Sequence, residues 1–385
     1  MKSSFFARAI TLASIFLSSI IISRNLGSAD LLDFIYYSTT LNFISAIALK
    51  DWEYRVFSDP SYRSLKNQLI FSSAFSILAY GLIQFTTESD HKSTEFYVVV
   101  LIYGVASVLI SLFKTKNSTQ PLYELLKSGS FGVVGLIVII FYIYFYKEHE
   151  EGLLKVFLSS SIIVLTLSTP ALLLINTKAC EKHEKTGSWM DWAISIVGIS
   201  LLTIESILSK HFVNEIYSEY YSVYNRVIFL CYAGYAVYNN HVIREISLNN
   251  TENSKTPRKL IVLISIFSVI AIYPVLQMVL INKVPTNHYL AALLILCAWI
   301  QVSVTFLSAG DFFRVIKIGA QKNFLKKAIS ATIIYAIILY IFNLLYSSES
   351  ILYFISFVIA SVFYNISTRW ALKQTLKQRI YNDNF

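Results

Sequence analysis

The chain alternates between long apolar segments and short polar loops along almost its whole length. A helix needs about 20 mostly apolar residues to cross a hydrocarbon core of roughly 30 Å, and each apolar segment is close to that length. The pattern predicts membrane-spanning helices over 5–23, 31–48, 67–86, 95–113, 128–146, 153–176, 189–209, 217–240, 260–281, 288–307, 325–345 and 350–369. Because the loops between them are short, any function is expected inside a helical bundle.

Composition changes this picture little and supports a membrane protein of the all-α class. Hydrophobic residues make up 55% of the chain and charged residues only 14%, and the mean hydropathy is +0.58. Soluble globular domains carry about 25% charged residues. The sequence therefore predicts a polytopic membrane protein with about twelve transmembrane helices.

The basic residues are divided unevenly between the two sides of the predicted bundle. If the N-terminus is cytoplasmic, 25 of the 32 lysines and arginines fall on the cytoplasmic side and 6 on the opposite side, while Arg226 lies within a span. Cytoplasmic loops of membrane proteins carry an excess of Lys and Arg. Both termini are therefore expected in the cytoplasm. The net charge of +9 then reflects orientation in a membrane, so no nucleic-acid partner is expected.

A weak internal similarity divides the chain into two halves. Tyr36-Tyr37-Ser38 follows the first span much as Tyr220-Tyr221-Ser222 follows the seventh. Six spans return a chain to the side on which it began, so the halves would be parallel repeats. The match is short and is either a trace of duplication or a coincidence. We expect two six-helix lobes, residues 1–178 and residues 179–385.

Two charged residues lie well inside predicted spans, Arg226 in the eighth and Glu205 in the seventh. Each such charge costs about 2.5–3.5 kcal/mol at the bilayer centre on insertion scales, so it should face a cavity or a partner. The two residues are expected either to form a structural ion pair or to place Arg226 in a cavity. A carboxylate in such a setting can exchange a proton or a sodium ion. Glu205 is therefore the first candidate for ion coupling.

Three further charged residues lie close to the ends of predicted spans. Arg24 ends the first span, Asp33 begins the second, and Arg8 lies about one turn inside the cytoplasmic edge. Long basic side chains at such positions can extend to the lipid headgroups. Arg8 and Arg24 are therefore expected either to contact headgroups or to bind an anionic ligand, and Asp33 is a second candidate for ion coupling.

The start of the eighth span carries a row of tyrosines. Tyr217, Tyr220, Tyr221 and Tyr224 follow i, i+3, i+4, i+7 spacing and therefore share one helix face. Aromatic rings with polar ends pack well against sugars and can hydrogen bond to hydroxyl groups. The row predicts either a sugar-binding surface or aromatic packing at the membrane interface.

The stretch after the first span resembles a motif of a known transporter family. Residues 23–40 read SRNLGSADLLDFIYYSTT, in which Arg24, Leu26 and Gly27 match the Arg-x-Leu-Gly stretch of Wzx-type O-antigen flippases, members of the multidrug/oligosaccharidyl-lipid/polysaccharide exporter superfamily. The chain departs from that pattern at Asp33-Phe34-Ile35-Tyr36, where a glycine often precedes the tyrosine. Over nearly all 385 residues the resemblance otherwise rests on helix layout.

The second half also resembles the family at Glu205, where relatives place an acidic residue, and at Tyr221 and Arg226, which match a Tyr-x-x-x-x-Arg-like start of the eighth helix. The resemblance implies alternating access in a bacterial inner membrane and export of an undecaprenyl-diphosphate-linked oligosaccharide for O-antigen or capsule synthesis, with H⁺ or Na⁺ as a candidate coupling ion. The predicted substrate-binding residues are Arg226, Arg24, Arg8, Tyr221 and Tyr224.

Other functions stay open at this point. A drug antiporter of the same superfamily would share the layout, and an integral-membrane glycan polymerase or acyltransferase would act on a similar substrate. Polymerases usually carry a long periplasmic loop, which this pattern lacks, and the six histidines are scattered. The sequence contains no Gly-rich phosphate loop and no H-E-x-x-H motif. We therefore expect a transporter and not an enzyme, with no metal and no cofactor.

Overall fold

The computed structural model describes the following residues: 2–49, 52, 62–87, 94–114, 120–127, 129, 131–145, 152–175, 189–212, 217, 221, 224, 228, 231–232, 235, 238–239, 242–243, 246, 266, 288–347 and 349–382. The chain divides into two compact units, Met1–Gly187 and Ser188–Phe385. The described residues of both units form helices and short turns, with no strand among them. Arg226 and most of the predicted spans 217–240 and 260–281 lie outside the described residues.

The helices of the described residues are numbered in chain order. Those of the N-terminal unit are α1 (Lys2–Asn25), α2 (Ser28–Leu49), α3 (Tyr62–Thr87), α4 (Thr94–Ser111), α5 (Gln120–Leu126), α6 (Val133–Phe145) and α7 (Gly152–Ser168). Short 3-10 helices follow α4 at Leu112–Lys114 and α7 at Thr169–Leu174. Those of the C-terminal unit are α8 (Trp189–Phe212), α9 (His288–Leu307), α10 (Asp311–Lys317), α11 (Gln321–Leu345) and α12 (Ile351–Asn382).

Five helical segments in the described part of the chain are long and apolar enough to cross a membrane. They are Phe6–Asn25, Gly152–Leu174, Ala292–Lys317, Gln321–Leu345 and Ile351–Gln378. These segments confirm the prediction of a helical membrane protein, while the total of about twelve spans stays a prediction. In α11, the large side chains of Ile333, Ile337 and Leu344 are each more than half exposed. Such an apolar surface suits contact with lipid.

In the N-terminal unit, α4 packs against α3 and α7. Leu109 of α4 and Phe113 of the 3-10 helix that follows it belong to a buried cluster that also contains Trp52, Tyr123 and Val164. The indole Nε1 of Trp52 donates a hydrogen bond to a backbone carbonyl on α4 at 3.4 Å. A buried indole usually finds such a partner, because its N–H would otherwise lose water without compensation. The cluster therefore combines apolar packing with a satisfied polar group.

A glycine allows close contact between the start of the fifth predicted span and α7. A Cβ atom added to Gly129 would meet Cγ2 of Val164 and would lie 3.1 Å from the carbonyl oxygen of Leu126. Small residues permit such close approach between membrane helices. The absence of a side chain at Gly129 is therefore required by the packing.

Helix α1 carries four buried hydroxyl groups that bond to their own helix. Thr11, Ser14, Ser18 and Ser19 each donate to the backbone carbonyl four residues earlier, at 2.9–3.1 Å. Ser and Thr side chains commonly use this i−4 carbonyl when they lie inside a helix. Each of these hydroxyls therefore has an acceptor within α1 itself.

In the C-terminal unit, α12 packs against α8, α9, α10 and α11. A buried cluster that includes Val315, Phe324 and Leu372 joins α10, α11 and α12. Helix α12 has 32 residues and is therefore about 48 Å long at 1.5 Å per residue. The hydropathy pattern predicted that its span ends at 369, whereas the helix continues to Asn382 and places residues near 369 within the packed interior.

Candidate functional site

Glu205 is a buried carboxyl group on α8 in the C-terminal unit. It is 2% exposed. Its Oε2 accepts a hydrogen bond from the Tyr221 hydroxyl at 3.1 Å, and its Oε1 accepts one from Asn365 Nδ2 at 3.2 Å. The large majority of buried polar groups in proteins have such partners. The described hydrogen-bond partners of Glu205 are neutral, so the carboxyl can change its protonation or ion occupancy without breaking an ion pair with them.

Helix α12 supplies a row of polar side chains along one face. Ser361, Asn365 and Arg369 follow i, i+4, i+8 spacing, which places them one above another on a helix. Asn365 Nδ2 also donates to the Ser361 carbonyl at 3.1 Å, and the Ser361 hydroxyl lies close enough to hydrogen bond to the Glu205 carboxyl. The row therefore starts beside Glu205, at Ser361 and Asn365, and ends at Arg369, one helical turn beyond Asn365.

The predicted tyrosine row is packed in the interior where it is described. Tyr221 and Tyr224 are 1% and 2% exposed, and their ring centroids lie 6.2 Å apart. The Tyr221 ring packs edge-on against Phe357 at 4.9 Å, and the Tyr217 ring stacks on Phe354 at 6.1 Å. The rings pack against aromatic neighbours, and the Tyr221 hydroxyl donates its hydrogen bond to Glu205.

Arg369 is a second buried charge in the same unit, and the hydropathy pattern does not predict it as a site residue. Its side chain is 2% exposed, and its guanidinium carbon lies 5.0 Å from the ring centre of Phe312 and 5.9 Å from that of Tyr235. Because the last predicted span ends at 369, the sequence places Arg369 among the basic residues of the cytoplasmic tail. The signal that could have found it is the i+4 spacing from Asn365 in an uninterrupted helical sequence.

Helix α10 follows a sharp turn and carries an ion pair next to α12. Gly310 has a φ of 75° and donates its backbone N–H to Asn239 Oδ1 at 2.7 Å. A positive φ is readily adopted only by glycine. Immediately after it, Asp311 Oδ1 accepts from Arg314 Nη1 at 2.7 Å. The turn thus fixes where this charged pair lies.

In the N-terminal unit, Arg8 pairs with a carboxylate that the sequence placed in a loop. Arg8 Nη1 lies 2.8 Å from Glu124 Oε2, with side-chain exposures of 19% and 5%. The Thr11 hydroxyl donates to the Glu124 backbone carbonyl at 3.1 Å. The pair joins α1 to α5, so Arg8 is held by protein groups in this conformation.

Arg24 and Asp33 lie near each other in sequence but differ in their surroundings. Arg24 is exposed at the end of α1, and Asp33 is half-buried near the start of α2. Burial, and then the nearby Asp33 carboxylate, raise the pKa of Asp30 above its usual range. A neighbouring negative charge disfavours the ionised form of a carboxyl group. Asp33 therefore belongs to an acidic pair at this helix end.

Of the predicted site residues, the structure brings together Glu205, Tyr221 and Tyr224 within the C-terminal unit. Arg226 lies outside the described residues. No group of three His, Cys, Asp or Glu side chains within the described ranges is arranged to hold a metal ion. Comparisons with protein-family models, curated proteins and solved structures find no match.

Proposed function

We propose that this protein is a flippase that moves an undecaprenyl-diphosphate-linked oligosaccharide from the cytoplasmic to the periplasmic leaflet of a bacterial inner membrane. Transport would proceed by alternating access through about twelve transmembrane helices, and would serve O-antigen or capsule synthesis. The proposal joins the sequence resemblance to the polar groups buried within apolar helices.

The buried Glu205 cluster is the observation that carries the proposal. A carboxyl group on a long apolar helix is unfavourable in a membrane, and such residues mark substrate or ion pathways. Here the carboxyl is surrounded by the Tyr221 hydroxyl and the Asn365 amide. The carboxylate can take up a proton, or bind a small cation together with the side-chain oxygen atoms of Tyr221 and Asn365, and a coupled transporter needs such an exchange.

The chemistry of the substrate suits the predicted basic residue. A diphosphate-linked sugar carries negative charge and many hydroxyl groups, so it does not cross hydrocarbon unaided. Arg226, the deepest basic residue of the predicted spans, would bind the diphosphate. Tyr221 and Tyr224, which precede it by five and two residues, would contact sugars when the aromatic packing opens.

Replacing Arg226 tests the proposed function directly. Arg226→Ala should abolish surface polysaccharide in cells and leaflet transfer of a fluorescent undecaprenyl-diphosphate glycan in vesicles, because the headgroup loses its cation. Arg226→Lys should retain more activity, since a flexible diphosphate needs charge more than fork geometry. Both assays should be normalised to the amount of protein in the membrane.

The loop variant Lys255→Ala is the matched control, because it removes one basic charge from a predicted cytoplasmic loop. It should transport normally. If wild-type vesicles move no lipid-linked glycan but extrude cationic drugs, the protein is an antiporter and the proposal is wrong. If purified protein lengthens glycan chains without moving them, it is a polymerase and the proposal is equally wrong.

The predicted orientation can be measured by cysteine labelling. Single cysteines placed within 50–66, and at exposed positions within 309–327, should react only with reagents that reach the cytoplasm. Those within 88–92 and 147–151 should react from the periplasm, because basic residues concentrate on the first side. Each of these variants should also carry Cys180→Ser. The other two native cysteines, Cys231 and Cys297, are buried and are not expected to react. Periplasmic labelling within 309–327 would contradict the topology.

A further inference from the structure

Arg369 carries a buried charge, and two of its three guanidinium nitrogen atoms lack hydrogen-bond partners among the described residues. Its Nε and Nη1 atoms have no partner among the described residues, although the side chain is only 2% exposed. Burying a guanidinium group away from water is strongly unfavourable unless each N–H meets an acceptor. An arginine in this state is held ready for an acceptor that the described protein groups do not supply.

Two described carboxylates on helices that pack against α12, Asp311 and Glu205, are already engaged with other groups. Asp311 interacts electrostatically with Arg369, but its Oδ1 accepts a hydrogen bond from Arg314 at 2.7 Å. Glu205 on α8 uses one oxygen for Tyr221 and the other for the amide of Asn365, which lies one turn from Arg369 along α12. Neither carboxylate therefore forms the close pair with Arg369 that usually stabilises a buried guanidinium group.

Among the described residues, positive charge exceeds negative charge at this end of α12. Arg314, Lys373 and Arg369 all interact electrostatically with Asp311, so three cations share one carboxylate. Lys373 lies one helical turn beyond Arg369 on the same face and is exposed. The row of cations therefore leads from the protein surface to the buried guanidinium group.

Two aromatic rings fix the position of the guanidinium group. Phe312 and Tyr235 lie 5.0 Å and 5.9 Å from its central carbon, and the Tyr235 hydroxyl is close enough to hydrogen bond to it. A guanidinium group held against aromatic faces keeps N–H groups at its edge for an oxyanion. Such preorganisation reduces the entropy lost when an anion binds.

We propose that Arg369 binds a phosphate group in a site inside the C-terminal unit. Phosphate carries the multiple charge and the several acceptor oxygens that three cations and two unpartnered N–H positions require. The natural source of this group rests on the proposed function, because the diphosphate of a lipid-linked glycan would supply it. A water-soluble phosphate compound carries the same chemistry and is the other source.

The variant Arg369→Met tests the site in purified full-length protein. In anion-free buffer this variant should have a higher Tm than wild type, because it removes a buried charge that lacks a partner. Inorganic pyrophosphate should raise the Tm of wild type in a concentration-dependent way. Its apparent Kd should be weaker by about tenfold or more in Arg369→Met, since a charge-assisted contact is lost.

Two further variants separate a specific site from general effects. Arg369→Lys keeps the charge and should retain part of the pyrophosphate response. Lys327→Met removes one cation from α11, where Lys327 bonds to Gln374 and Gln378, and should respond like wild type. A lower anion-free Tm for Arg369→Met together with an unchanged response to pyrophosphate would overturn the proposal.

The source of the phosphate is distinguished by a second ligand. Undecaprenyl phosphate in mixed micelles should stabilise wild type more than inorganic pyrophosphate does if the natural ligand is a lipid headgroup, and less if it is a soluble compound. A response to neither ligand would overturn the anion site. An Arg369-dependent response in a protein that moves no lipid-linked glycan would leave the site standing and refute the flippase proposal.

Discussion

Glu205→Gln should remove most of the stimulation of export by an imposed proton or sodium gradient while the protein stays folded. Coupling free energies between sites are about 1–3 kcal/mol, so a loss on the order of tenfold is expected. Glutamine keeps the shape of the side chain and can still accept from Asn365 and donate to the Tyr221 hydroxyl, but it cannot exchange a proton. The measurement is glycan transfer in vesicles with and without each gradient.

Asp191→Asn is the control for this result, because Asp191 begins the same helix and bonds to Gln321. It should leave gradient stimulation intact. Glu205→Leu should differ from Glu205→Gln by also lowering thermal stability, since Tyr221 and Asn365 would lose their acceptor at a cost of about 1–3 kcal/mol. If Glu205→Gln responds to gradients as wild type does, Glu205 is a structural residue and Asp33 becomes the candidate.

Gly129→Ala should lower the stability of the N-terminal unit by about 1–3 kcal/mol, the usual range for overpacking a core. The new methyl group would collide with Val164, whose branched side chain has few alternative rotamers in a helix. The Leu126 carbonyl, 3.1 Å from the same position, blocks a shift in that direction. Thermal unfolding of the detergent-solubilised protein would show the loss as a lower Tm.

Gly81→Ala is the matched control, because its methyl group would lie at an ordinary 3.5 Å from the Tyr97 hydroxyl. It should keep or raise the Tm, because alanine is more favourable than glycine in a helix interior. In a Val164→Ala background, Gly129→Ala should cost at least about 1 kcal/mol less, because the two changes act on one space. If the losses of stability are additive, the side chains at positions 129 and 164 do not compete for the same space.

The sequence predicts the apolar helices well, because burial in lipid depends on local hydropathy. The first predicted span, 5–23, falls within α1 (Lys2–Asn25), and the span 325–345 falls within α11 (Gln321–Leu345). The sequence also singles out Glu205, since a carboxyl inside an apolar segment is conspicuous. In each case the information lies within about 20 neighbouring residues.

What the sequence does not predict depends on contacts between distant segments. Glu124 pairs with Arg8 across 116 residues, and Asn365 reaches Glu205 across 160. Neither partner can be chosen from hydropathy, because many polar residues are equally available. The burial of Arg369 is not predicted by hydropathy for a related reason. Hydropathy reports where lipid ends, whereas protein burial continues along α12 wherever other helices cover it.

The four hydroxyl groups of α1 that bond to their own helix have a consequence for motion. Thr11, Ser14, Ser18 and Ser19 each have an acceptor in α1. Each would therefore keep a hydrogen bond if a neighbouring helix shifted, and of their described hydrogen bonds only the second bond of Thr11, to the Glu124 carbonyl, would be lost. A small slide or rotation of α1 at these positions would not strand a donor. Glu205 has the opposite property, because a shift of α8 against α12 would break its bond to Asn365. Hydroxyl-rich packing therefore permits sliding, and the carboxyl cluster resists it.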